Sequence, residues 1–254
     1  MTTTPHSYEL GAVVSHAGDA SWTFSGRPGG VSDGCYAALN LADHVGDDQD
    51  AVAENRSRLG AIVGVPVSNV AVMQAAHGSD AAVVTTGGVV PDVDILVTRT
   101  PGLALLALAA DCATITLVDP QVGVIAAVHS GWRGVAANAA GAAVAALQEQ
   151  GAHPEKIEAH IGPVICSGCY EVSTQVADEV AHAAPEARSK TRWNTPAVDL
   201  HAGIIQQLAR QGVTRVCRDA TCTAESDALF SYRAQRITGR HGAIIALATS
   251  PGTS

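Results

Sequence analysis

The stretch AAVHSGWRGVAANAAG, residues 126–141, changes its periodicity halfway along. Residues 123–128 form an apolar run of strand length, whereas residues 135–150 have the alanine density and length of a helix. His129, Trp132 and Arg133 stand at the join. A strand that hands over directly to a helix sets such residues beside unpaired N–H groups, which favour an anion. Two readings fit them: a hydrogen-bonded core histidine with a tryptophan packing anchor, or a junction that carries chemistry.

Working outward, short strands are predicted at residues 70–73, 81–85, 95–98, 103–109 and 114–118, each β-branched or apolar and bounded by Gly, Pro or Asp. Downstream come a strand at 157–161, helices at 174–183 and 197–211, and a final strand at 243–247. A further helix is predicted at 50–59, with Asn55, Arg56 and Arg58 on its polar side. GRPGGVSDG, residues 26–34, is too glycine-rich for a regular element and reads as a loop that brings backbone close to a ligand. Residues 181–196 are polar, contain two prolines and read as a mobile surface loop. Consecutive strands in the middle, with helices gathered later, predict an α+β fold: a mixed-sheet sandwich flanked by helices, in one domain over residues 1–254.

Aromatic residues make up only 4% of the chain, so there is no surface for stacking bases, and a net charge of −9 without a basic run opposes phosphate backbones. Nucleic acid is therefore not an expected partner. The apolar run at 102–110 ends at Asp111, too short to span a bilayer, and MTTTPHSYEL lacks the basic and apolar regions of a secretory signal. A cytoplasmic protein with reduced cysteines is expected. Neither GxGxxG nor a P-loop occurs, which removes support for dinucleotide and nucleoside triphosphate sites.

His77, Cys112 and His129 each lie beside a predicted strand end, 35 and then 17 residues apart. If the strands at 103–109, 114–118 and 123–128 are neighbours, Cys112 and His129 meet at one edge and His77 arrives from an adjacent hairpin. Two imidazoles and a thiolate would give Zn²⁺ three protein ligands and leave the fourth tetrahedral position open, as a catalytic site requires. The competing reading makes Cys112 a small core residue and His77 a turn cap. Cys166 and Cys169 form a CxxC without an evident partner pair, and are expected to be packing residues.

The segments FSGRPGGVSDGCYAALNLADHVGDD, HG at His77, ADC ending at Cys112, HSGWRG from His129, IGPVICSGCYEV, and LFSYR with TGR follow in an order that resembles the YfiH or laccase-domain family. This group is also called multicopper polyphenol oxidoreductases and purine nucleoside phosphorylases. The resemblance implies a fold shared with bacterial cysteine-hydrolase-like toxins. It also implies an enzyme that cleaves adenosine, inosine and methylthioadenosine with phosphate and deaminates adenosine. It places the metal, Zn²⁺ or alternatively Cu²⁺, on His77, Cys112 and His129. Phosphate and sugar contacts fall on Arg27, Ser32 and Asn40, and purine-side contacts on Tyr170 and Glu171. Arg133 joins the substrate-binding candidates, and Asp111 is either a proton-transfer group beside the metal or a turn residue. The chain departs from the common pattern at Gln74, one place earlier relative to His77, at Ser130 in place of alanine, and at Thr114 in place of proline; none of these removes a ligand.

Three other functions stay open on the residues. A multicopper oxidase needs close imidazole pairs, yet no His-x-His occurs; a lone copper would take Met73 as its axial group. A hydrolase would use Cys112 as nucleophile and His129 as base, in peptidoglycan precursor editing. A zinc-stabilised binding module would need no chemistry at all. The sequence leaves the oligomeric state undetermined.

Overall fold

The computed structural model describes residues 8–11 and 13–249. The first stretch contains β1 (Ser15–Ala17), β2 (Ala20–Phe24), α1 (Gln49–Ile62) and β3 (Val70–Met73). The middle contributes β4 (Ala81–Val83), β5 (Gly88–Val90), β6 (Ile95–Thr98), β7 (Ala104–Ala109), β8 (Ala113–Asp119), β9 (Val124–Ser130), α2 (Trp132–Ala136) and α3 (Ala139–Glu149). The remainder adds β10 (Glu158–Ile161), α4 (Thr174–Ala183), β11 (Arg188–Lys190), β12 (Pro196–Val198), α5 (Leu200–Arg210), β13 (Arg215–Arg218), α6 (Tyr232–Gln235) and β14 (His241–Leu247).

Two six-stranded sheets result, ordered β1-β2-β14-β7-β3-β5 and β13-β10-β8-β9-β6-β4. Each is mixed. In the first, β3 runs parallel to both β7 and β5; in the second, β10 with β13 and β4 with β6 are parallel pairs among antiparallel ones. The predicted α+β sandwich is the fold observed.

Period-two alternation decides what each strand covers. Ile115, Leu117, Val124, Ala126 and Val128 pack with Val135, Val144, Leu147, Val180, Ile204 and Leu208, beneath α2, α3, α4 and α5. The alternate residues Val118, Ile125 and Ala127 meet Trp22, Leu105, Ala107 and Ile245 of the first sheet. On that sheet's outer face Val70, Val72, Leu106 and Ile244 receive Leu59 of α1 with Leu39 and Leu41. Central strands are thus buried on both faces, so their sequences read as unbroken apolar runs. His129 shares the parity of Ile125 and Ala127, which directs its ring to the inter-sheet side at the end of β9. Among the described residues, no helix is long and apolar enough to cross a membrane.

Four expectations need correction. The helix over 135–150 is broken into α2 and α3 by Asn138, in a left-handed conformation (φ 61°, ψ 41°) that asparagine tolerates better than most residues. Gly141 permits the break, since a Cβ there would lie 2.4 Å from the Asn138 amide nitrogen. The 181–196 segment is the end of α4, a 3₁₀ turn and a strand that pairs with β12 to form a hairpin. Helix α5 begins at Leu200 because Asp199 caps it, its carboxylate accepting the Ala202 N–H. Asn55, expected on a polar face, is buried. It accepts the Val31 N–H and donates to Ser32 Oγ and to the Ala38 and Asn40 carbonyls.

That network explains the glycine loop. A Cβ on Gly30 would stand 2.2 Å from the Ala38 carbonyl oxygen, so the glycine is needed for the chain to approach itself. Asn55→Ala leaves several buried polar groups without partners and is expected to destabilise the protein by about 3 kcal/mol, read from urea unfolding. A change below about 1 kcal/mol would show the network to be dispensable.

Candidate metal centre

His77, Cys112 and His129 reach one point from three segments. His77 follows β3, Cys112 immediately precedes β8, and His129 lies near the end of β9. The β8–β9 register sets Thr114 opposite His129 and Ala113 opposite Ser130, so Cys112 comes beside Gly131. One ligand atom from each of the three side chains lies within 4.8 Å of the others. The two imidazole rings meet edge to face, 4.8 Å between centroids. Gly131 keeps the space clear: a Cβ there would sit 2.7 Å from the Cys112 sulfur.

Asp94 organises the cluster, and nothing in its sequence context distinguishes it beyond its place ahead of a strand. It is fully buried. Its Oδ1 accepts the His77 N–H at 3.0 Å and its Oδ2 the Gly78 N–H at 2.6 Å. These bonds hold His77 in a left-handed conformation (φ 64°). The same Oδ1 lies 2.9 Å from His129 Nδ1, which commits that nitrogen and leaves Nε2 for the cluster. The Asp94 carbonyl also accepts the His129 N–H.

Charge follows from this geometry. Burial raises the Cys112 thiol, but the His129 and His77 imidazoles outweigh it and bring the sulfur down to about 6. Burial depresses His129, while the Cys112 thiolate and Asp94 carry it up to about 9. Burial also works against the Asp94 carboxylate, yet His129 and the Gly78 and His77 N–H groups hold it below the usual range. The donor set, two imidazoles and a thiolate, matches zinc, and an oriented imidazole is how such ligands are normally presented.

A cavity of about 500 Å³ opens on the cluster, lined also by Met73, Tyr232 and Arg240. A second, of about 400 Å³, shares His44, Met73, Gln74 and Leu108 with it and adds Arg56. This volume suits a drug-sized or nucleoside-sized ligand. Tyr232 and Arg240 belong to the LFSYR and TGR segments, but their type alone did not single them out.

The other sequence candidates are not among the residues that line the cavity. Arg27 donates from Nε to the Ala37 carbonyl and its guanidinium lies 4.6 Å over the Phe230 ring. Ser32 and Asn40 are buried and both donate to Asp47. Asn40 Oδ1 also accepts the Arg240 N–H, so it acts on the cavity by placing an arginine. Arg133 is exposed, with its guanidinium over the Trp132 ring. Tyr170 is buried under Arg233, and burial together with the Cys112 charge pushes its phenol up. Glu171 is exposed and its carbonyl accepts from Arg233 Nη1. Asp111 takes the Thr223 and Ser231 hydroxyls and the Arg233 N–H, all at 2.6 Å, and so pins the C-terminal segment beside Cys112.

A family model described as multi-copper polyphenol oxidoreductase laccase matches residues 21–248. The chain belongs to this family. Among its relatives, the purine nucleoside phosphorylase ORF3 of Streptomyces griseus is 45% identical over 90% of this chain and 96% of its own length. The purine nucleoside phosphorylase SCO2081 of Streptomyces coelicolor is 45% identical over 87% and 93%. The crystal structure of YlmD from Geobacillus stearothermophilus superposes with a TM-score of 0.85 at 33% identity, covering 91% of this chain and 93% of that one.

In this laccase-family chain, alkylation of Cys112 in chelator-treated protein is expected to follow a midpoint near pH 6, read by peptide mass spectrometry. Asp94→Asn removes the charge that sustains the His129 imidazolium and should move that midpoint upward. An unshifted midpoint would dissociate the carboxylate from the thiol.

Proposed function

We propose that the chain is a zinc-dependent purine nucleoside phosphorylase that cleaves adenosine, inosine and methylthioadenosine with phosphate and also deaminates adenosine, acting as one catalytic unit. The observation that supports this most is the convergence of two imidazoles and one thiol, with no fourth protein ligand in the group among the described residues, on a nucleoside-sized cavity. His77, Cys112 and His129 would hold the ion, with Asp94 fixing the His129 tautomer. Zinc held there supplies a Lewis acid for activating water or polarising a bound group. The same donors would accept copper, so metal analysis of the purified protein decides between the two ions.

Arg240 is the guanidinium in the cavity lining, and we assign it the phosphate. Its Nη1 is braced by the Thr238 and Gly239 carbonyls, which orients the remaining N–H groups before an anion arrives. The apolar wall formed by Met73, Leu108, Ala109 and Ala110 suits a purine face and excludes water from it. Asp111, its carboxylate occupied by three donors, positions α6 and Tyr232 rather than moving a proton.

A multicopper oxidase finds little support, since among the described residues just one metal-capable group contains histidine. A cysteine hydrolase is favoured by one specific observation, namely that Asp94, His129 and Cys112 stand in the order orienter, base and nucleophile.

One assay separates the readings. Inosine and phosphate should yield hypoxanthine and ribose 1-phosphate, with no release when phosphate is omitted, and chelation should stop turnover until zinc is restored. Arg240→Ala is expected to raise the KM for phosphate about tenfold or more, a loss of at least about 1.4 kcal/mol. Phosphate-independent release that survives chelation but not Cys112 alkylation would overturn the phosphorylase reading and make Cys112 a nucleophile.

A further inference from the structure

Away from the histidines, two short motifs repeat one backbone device. In CSGC, the Cys169 N–H donates to the Cys166 carbonyl; in CTAE, the Glu225 N–H donates to the Cys222 carbonyl. Each turn therefore presents two potential ligands three residues apart. The partner pair that Cys166 and Cys169 lacked in the sequence arrives from beyond β13, and Val164 and Cys222 form a parallel bridge that fixes the two turns side by side. Cys166 and Cys169 do pack against the helix-side core, as expected, but their sulfurs turn to this second pair.

One ligand atom from each of Cys166, Cys169, Cys222 and Glu225 lies within 4.8 Å of the others. Zinc bonds of ~2.3 Å in a tetrahedron put sulfurs roughly 3.8 Å apart, so the four need only a small contraction to close on an ion. Cys166 Sγ and Glu225 Oε2 are already 3.9 Å apart. The Cys166 N–H points at Cys222 Sγ at 3.2 Å, a donor that stabilises a thiolate. Arg192 supplies another: Nη2 lies 3.0 Å from Cys169 Sγ and also pairs with Glu225 Oε1, leaving Oε2 toward the sulfurs.

We propose that Cys166, Cys169, Cys222 and Glu225 bind a second zinc ion whose role is structural. Four protein ligands close the tetrahedron and leave no position for substrate. Loading releases the protons of the three thiols and leaves a unit of net charge −2, one charge of which Arg192 offsets. The ion cross-links the turn leading into Tyr170 to the turn whose Thr223 hydroxyl bonds Asp111, and so braces the segment beside Cys112. It stands independently of the reading proposed for the histidine site.

The test uses the full-length Cys112→Ser protein, which lacks the only thiol of the histidine site, titrated with cobalt(II) under reducing conditions. One equivalent should bind with thiolate-to-cobalt charge-transfer absorption and tetrahedral ligand-field bands. Adding Cys169→Ser and Cys222→Ser should abolish those bands, while Glu225→Gln should keep the thiolate absorption and weaken affinity about tenfold or more, in the range lost with one ligand or its support. In wild-type protein, zinc should protect Cys166, Cys169 and Cys222 from alkylation, read by peptide mapping, and a chelator should expose them. Absence of charge-transfer bands in Cys112→Ser, equal alkylation with and without zinc, or a disulfide within the three cysteines would overturn the proposal.

Discussion

The Asp94 carboxylate is the constraint on which the centre depends. A buried carboxylate without partners would cost several kcal/mol, and here both oxygens are occupied. What satisfies the ion also builds the site. Two consecutive N–H groups of the turn after β3, a first-sheet strand, and the ring of a histidine on β9, a second-sheet strand, converge on one group at the head of β6. The sandwich therefore cannot shift one sheet against the other at this end without exposing or stranding a charge. Backbone strain at His77 and the choice of imidazole tautomer have the same origin.

Asn40, a substrate-contact candidate in the sequence, and Asp111, a proton-transfer or turn candidate, both hold the C-terminal segment. Asn40 holds the backbone of Arg240, and Asp111 gathers Thr223, Ser231 and Arg233. Both fix where the C-terminal segment crosses the cavity, so the lining residues Tyr232 and Arg240 depend on side chains outside the lining.

Much of this was legible beforehand, for a physical reason. Strands covered on both faces must be apolar throughout, so β3, β6, β7, β8, β9 and β14 declared themselves. β2 and β13 did not, because ASWTF and RVCR mix polar residues into short or outlying strands. His77, Cys112 and His129 stood out as rare ligand types at strand ends. Asp94 did not, since an aspartate ahead of a strand looks like any turn residue until the fold buries it. Glycines at 26–34 suggested room for a ligand, whereas Gly30 is required by the loop's approach to Ala38. CSGC lacked a partner only because sequence distance conceals the pairing with CTAE.

The interleaved strand order has a consequence for synthesis. β14 lies between β2 and β7, joining an N-terminal hairpin to the middle of the chain. While a ribosome is still translating, the first sheet has a gap at its centre, and β2 has no neighbour there to receive its inner edge. Arg240 enters the cavity on the residue just before that last strand. The nascent chain thus holds an incomplete cavity until Leu247 has cleared the exit tunnel, because the wall that Arg240 contributes is set only when β14 pairs with β2 and β7.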